Sequence, residues 1–82
     1  MVHWSDFDPA DYELEFNEEK LAAHGIEPFE VVEMLWNGFQ PLRDKKHDDR
    51  YRLLGRTDAG RPLELVVVVT KRTLRFITGW RL

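Results

Sequence analysis

The sequence predicts an α+β fold: two N-terminal helices packed on one face of a three- to four-stranded antiparallel sheet. Three observations carry this. Helix capping signals and helical apolar spacing fall between Asn17 and Gly38. Period-two alternation and turn residues dominate after Asp48. Between them in character is "LVVVV", Leu65 to Val69, apolar on both faces as a central strand covered by helices would be. With 82 residues, 43% of them apolar, one domain (1–82) with one compact core is expected.

Each element has a local reason. Met1 to Asp11 contains Pro9 and several acids and reads as an irregular arm, with Trp4 and Phe7 available to pin it. "YELEF", Tyr12 to Phe16, alternates apolar and acidic residues, the pattern of a short half-buried strand. Asn17 can cap a following helix, Glu18 and Glu19 suit its positive end, and Gly25 can end it in the left-handed conformation. Pro28 opens a second helix, where its missing amide costs nothing. On that helix Phe29, Val32 and Trp36 lie on one face with Val31 and Leu35 adjoining, Glu30 and Glu33 point outward, and Asn37-Gly38 stops the run.

The remainder reads as strands. "DDRYRLLGRT" alternates, Asp58-Ala59-Gly60 reverses the chain, and "RPLELVVVVT" returns. "KRT" turns it again into "LRFITGWRL". "QPLRDK", Gln40 to Lys45, can add an edge strand, with Pro41 tolerated only at its start. Leu21, Val32, Leu35, Val67 and Val69 are the expected core.

The net charge of −3 conceals a split. Residues 1–40 hold ten acids against Lys20 alone, and residues 41–82 hold eleven bases against five acids. Such asymmetry points to an acidic partner such as nucleic acid, or to attraction between the two halves within the fold. There is no cysteine, so no disulfide and no thiolate metal site. His3, His24 and His47 lie in separate segments, and "HDDR" lacks ligand spacing, so neither metal nor cofactor is expected. Ser5 is the only serine, which leaves no serine nucleophile in a structured segment. "GRTDAGRP" has no Walker lysine, so it is not a phosphate loop. No signal peptide or membrane-spanning run is evident, and a cytoplasmic location is the default.

The arginines remain. Alternation places Arg50, Arg52, Leu54 and Arg56 in one row, and Arg75, Ile77, Gly79 and Arg81 in another. If both rows share a sheet face opposite the acidic helices, the face is cationic and able to hold phosphates. A half-solvated sheet face is polar in any case, but that alone does not explain the sign of the charge.

"LAAHGIEPFEVVEML", "RYRLLGRTDAGRPLELVVVVT" and "LRFITGWRL" together resemble the BrnT-type family of toxin–antitoxin systems, a branch of the RelE-like ribonuclease fold. The resemblance runs from about His24 to Arg81 and rests on His24-Gly25, Gly55-Arg56-Thr57 and the closing Arg75 to Arg81 segment. It implies a metal-independent endoribonuclease with a cognate antitoxin. His24 would be its acid or base, and Arg56, Arg75 and Arg81 the cations stabilising charge on the phosphorane, with Arg50, Arg52 and Arg72 holding RNA. Three features depart from the family. Ala23 stands where a lysine is common, and Trp80 where the closing motif has its first arginine. The chain ends at Leu82, where many members continue into a basic helix. These are the changes of a divergent or truncated, non-toxic relative. The rival expectation is a non-catalytic interaction module that binds an acidic protein or forms a homodimer, with Phe76 and Trp80 as contact aromatics.

Overall fold

The computed structural model describes residues 3–82. Two 3-10 turns, Trp4–Asp6 and Pro9–Asp11, precede β1 (Glu13–Phe16), α1 (Glu18–Ala23), α2 (Pro28–Asn37), β2 (Phe39–Arg43), β3 (Arg50–Arg56), β4 (Pro62–Val69) and β5 (Thr73–Arg81). The strands form one five-stranded sheet in the order β1-β5-β4-β3-β2. No helix among the described residues is long and apolar enough to cross a membrane.

The class is α+β, but the sheet corrects the expectation of three to four antiparallel strands with two packed helices. It has five strands and is mixed, because β1 pairs in parallel with β5, Glu13 opposite Thr73 through Phe16 opposite Phe76. The first strand and the last are therefore neighbours. A parallel pair needs a long crossover, and here the helices and three strands supply it. Gln40 to Arg43 does join the sheet, as part of β2 and as its other edge. Pro41 sits in the middle of that strand rather than at its start. Asp44 donates its backbone N–H to Arg50, so even-numbered residues of this strand face the β3 ladder. Pro41 falls among the odd-numbered positions that face away, where a missing N–H costs no ladder bond.

The helices are short because their signals are local. Asn17 accepts from the Lys20 amide and opens α1. Its end is a Schellman turn: the Ile26 amide donates to Leu21 and the Gly25 amide to Ala22, with Gly25 at φ 69°. The turn buries Ile26, whose side chain reaches Gly79 of β5. In α2 the inward residues are Glu30, Val31, Met34 and Leu35. Phe29 and Trp36 are about three-fifths exposed, so the face expected from their spacing is the outer one. Leu21, Leu35 and Val67 lie in the core, and Val32 and Val69 are only half-buried.

Both helices lie over the same side of the sheet, α1 on β5 and α2 on β3. The arm closes the rest of that side. Trp4 packs against Phe7, Phe39 and Tyr51 with ring centroids 5.1, 5.5 and 5.1 Å away. Two glycines let the layers approach. A Cβ on Gly55 would meet the flexible Met34 side chain, whereas one on Gly79 would come within 2.7 Å of Leu65 and 2.8 Å of the Glu64 carbonyl. The β3–β4 hairpin is closed as its glycine predicts. The Gly60 amide donates to Thr57, the Thr57 amide to Arg61, and Gly60 takes φ 80°. In the β2–β3 connection the Asp44 carboxylate accepts from the Lys46 amide. That bond, aided by His47 and Arg50, holds its carboxyl below the usual range.

Gly79→Ala is expected to lower stability by about 1–3 kcal/mol, the range for overpacking a filled core. Gly55→Ala should cost less, because Met34 can change rotamer. Urea denaturation of the two variants measures the difference, and an equal loss would mean that the backbone under β5 gives way.

Candidate functional site

The sheet face turned away from the helices is covered by no other element among the described residues. Register defines its surface. Arg50 lies opposite Val68, which lies opposite Arg75, which lies opposite Glu15. The next row runs Leu42, Arg52, Val66, Thr78, and the next Gln40, Leu54, Glu64, Trp80. Arg56 and Pro62 close the end. Four of the arginines singled out in the sequence, Arg50, Arg52, Arg56 and Arg75, therefore share one face.

Arg81 does not join them. The register of β4 and β5 shifts between Val66 and Val67: Val66 pairs with Thr78 but Val67 with Phe76, so Ile77 is an extra residue. A bulge of one residue reverses the facing of every side chain beyond it. The row Arg75, Ile77, Gly79, Arg81 is thereby broken. Arg75 stays on the open face, and Gly79 and Arg81 turn under the helices.

There Arg81 donates from one nitrogen to the Gly25 carbonyl and to Glu30 Oε1, the latter at 2.8 Å. Glu30 is 6% exposed, although its residue type and helix position suggested an outward side chain. The same oxygen accepts from the Glu27 amide at 3.1 Å, one half of a capping box at the start of α2. A buried carboxylate needs such partners, since an unpaired one would be strongly destabilising. The signal for it was in the sequence: a glutamate three residues after the helix's capping position.

The other candidates differ in setting. Arg52 pairs with Glu64 at 3.2 Å, which fixes its guanidinium over the middle of the open face. Arg56 donates to the Gly60 carbonyl within its own hairpin at 2.9 Å. Arg50 keeps its Nε buried without an acceptor. Among the described residues no ion pair engages Arg50, Arg56 or Arg75. Val66, flanked in register by Arg52 and Thr78, is only 8% exposed, so neighbouring side chains lie over it. His24 is exposed at the end of α1, its ring 5.8 Å from that of Trp80. Arg72 lies apart, in the β4–β5 turn, where it lines a cleft of about 520 Å3 with His3, Asp6 and Asp11.

Residues that the sequence marked only as a helix stop, an outward helix position and a turn hold the hairpin bearing Arg56. Asn37 donates to the Arg56 carbonyl at 3.2 Å and to Asp58 at 2.8 Å, while the Asp58 amide donates to Glu33 at 3.1 Å. The end of α2 thus clamps the Gly55-Arg56-Thr57 segment. No protein-family model, curated protein or solved structure matches this chain.

Arg81→Ala is expected to destabilise by about 2 kcal/mol, between the values for surface and fully buried ion pairs. Glu30→Ala should cost at least as much, because the α2 cap is lost with the pair. In a double-mutant cycle by urea denaturation the losses should be well short of additive. Simple additivity would show that the two side chains are not coupled.

Proposed function

We propose that this chain is a BrnT-type toxin-family protein that binds single-stranded RNA on the open face of its sheet. The observation supporting this reading is the gathering of Arg50, Arg52, Arg56 and Arg75 on a face that no element of the described residues covers. Guanidinium groups match phosphate oxygens in a bidentate fork. Arg50 and Arg75 flank Val68 on neighbouring strands, so their backbones stand about 10 Å apart, two strand spacings. Trp80, exposed on the same face, offers a flat surface on which a base can stack.

A base stacked on Trp80 would bring its ribose towards His24, the neighbouring ring. In the catalytic form of this reading His24 takes the 2′-hydroxyl proton, and an arginine of the face stabilises the phosphorane. A cytoplasmic setting and a cognate antitoxin belong to this reading. A second reading, a divergent relative that binds without cleaving, is favoured by one observation. Arg81, the cation beside His24-Gly25, already has its charge met by Glu30. In that reading the same face serves RNA or an acidic protein, and self-association is open to it.

Fluorescence anisotropy with a single-stranded RNA oligonucleotide tests the common core of both readings. The logarithm of affinity should fall linearly with the logarithm of salt, at a slope of about −0.7 per phosphate contacted, or roughly −3 for four. Arg75→Ala should reduce that slope by about 0.7, and Arg81→Ala should leave it unchanged. Absence of binding at low salt would remove RNA from the account. Cleavage in the presence of a chelator, lost in His24→Ala while binding persists, would select the enzyme over the binder.

A further inference from the structure

We propose that the cleft between the N-terminal arm, the end of α2 and edge strand β2 docks an extended basic segment of a partner protein. It lies on the helix side of the sheet and uses none of the arginines of the open face. The cleft has a volume of about 490 Å3, within the ~300–1,000 Å3 range of ligand pockets. Trp4, Phe7, Trp36 and Phe39 line it.

Trp36 is the first argument. It is 61% exposed in the last turn of α2, on a helix whose inward face is already filled by Val31, Met34 and Leu35. The fold makes little use of it. Phe29, 60% exposed and two turns earlier, extends the same stripe along the outside of α2. Large exposed aromatics in a row are the residues that anchor protein partners.

Charge selects the occupant. Among the described residues Asp8 is the only charged one lining the cleft, and no base lines it. Asp6 and Asp11 of the same arm are exposed but line the neighbouring cleft with Lys71 and Arg72, so the charge of this one rests on Asp8. Aromatic faces beside a carboxylate attract a guanidinium or ammonium group and repel phosphate. The mode is also constrained. Pro41 removes an outward N–H from the free edge of β2, which disfavours strand addition. Recognition therefore rests on side chains: a cation over the rings and an apolar group between them, as in an extended segment carrying both.

The probe is a fluorescein-labelled octapeptide of Pro-Arg repeats, with the Pro-Glu octapeptide as its charge-reversed counterpart. The full chain is expected to bind the first and not the second. Trp36→Ala, at an exposed position that leaves the fold intact, should weaken binding by about tenfold. Phe29→Ala should weaken it less, and Asp8→Asn by about threefold at low salt. Arg75→Ala should leave peptide affinity unchanged, and Trp36→Ala should leave RNA affinity unchanged, which separates this proposal from the one above. Equal binding of both peptides, or full affinity in Trp36→Ala, would overturn it. So would a dimer in sedimentation that Trp36→Ala dissolves while peptide binding persists, since the occupant would then be a second copy.

Discussion

The extra residue in β5 decides where the rest of the molecule can go. Before Ile77 the strand keeps Leu74 and Phe76 under the helices and Arg75 outside. Without the bulge, alternation would carry Trp80 inward and Arg81 outward. With it, Gly79 faces inward against Leu65 and Ile26, a place with no room for a Cβ. Arg81 then arrives beneath the turn between α1 and α2, and Trp80 appears on the open face. The extra residue falls just past the last β1 pair, Phe16 with Phe76, where β5 is paired on one side only and the irregularity disturbs a single ladder.

The Arg81–Glu30 contact is what the bulge makes possible, and it closes the chain on itself. One guanidinium meets the carbonyl that ends α1 and the carboxylate that starts α2. The buried carboxylate is tolerated because it holds both a cation and a backbone amide. At its other end α2 is fixed through Asn37 and Glu33 to the β3–β4 hairpin. The helix is thus anchored to the sheet at both ends by polar contacts, with Val31, Met34 and Leu35 filling the middle. That is why a helix of ten residues can present Trp36 and Phe29 to solvent without losing its seat.

Much of this was legible in local signals. The Asn17 cap, the Gly25 stop, Pro28 at a helix start, the Asp58 to Gly60 reversal and the valine-rich central strand each depend on a few neighbouring residues. What could not be read was non-local. The pairing of β1 with β5 joins residues about sixty positions apart, and nothing in "YELEF" names its partner. The bulge is invisible because Ile77 is apolar like its neighbours in either register. For α2, two faces both carried apolar residues, and the wrong one looked richer because of its aromatics. Glu30 was misplaced by its charge, although its spacing from Glu27 marked it as a cap.

The structure also sharpens the meaning of the charge split. If the acidic and basic halves were present to bind one another, ion pairs between them should be plentiful. Among the described residues only Arg81–Glu30 crosses from one half to the other. Arg52–Glu64 and Arg43–Asp48 are both formed within the basic half. Glu15 lies opposite Arg75 in register yet forms no ion pair with it. Attraction between halves therefore accounts for one contact and leaves the surplus of each sign on the surface. Arg50, Arg52, Arg56 and Arg75 put part of the cationic surplus on the uncovered sheet face, beside Glu15 and Glu64, and the acidic arm borders an aromatic cleft on the other side. The split therefore shows as two surfaces of different chemistry rather than as a set of contacts that hold the fold together.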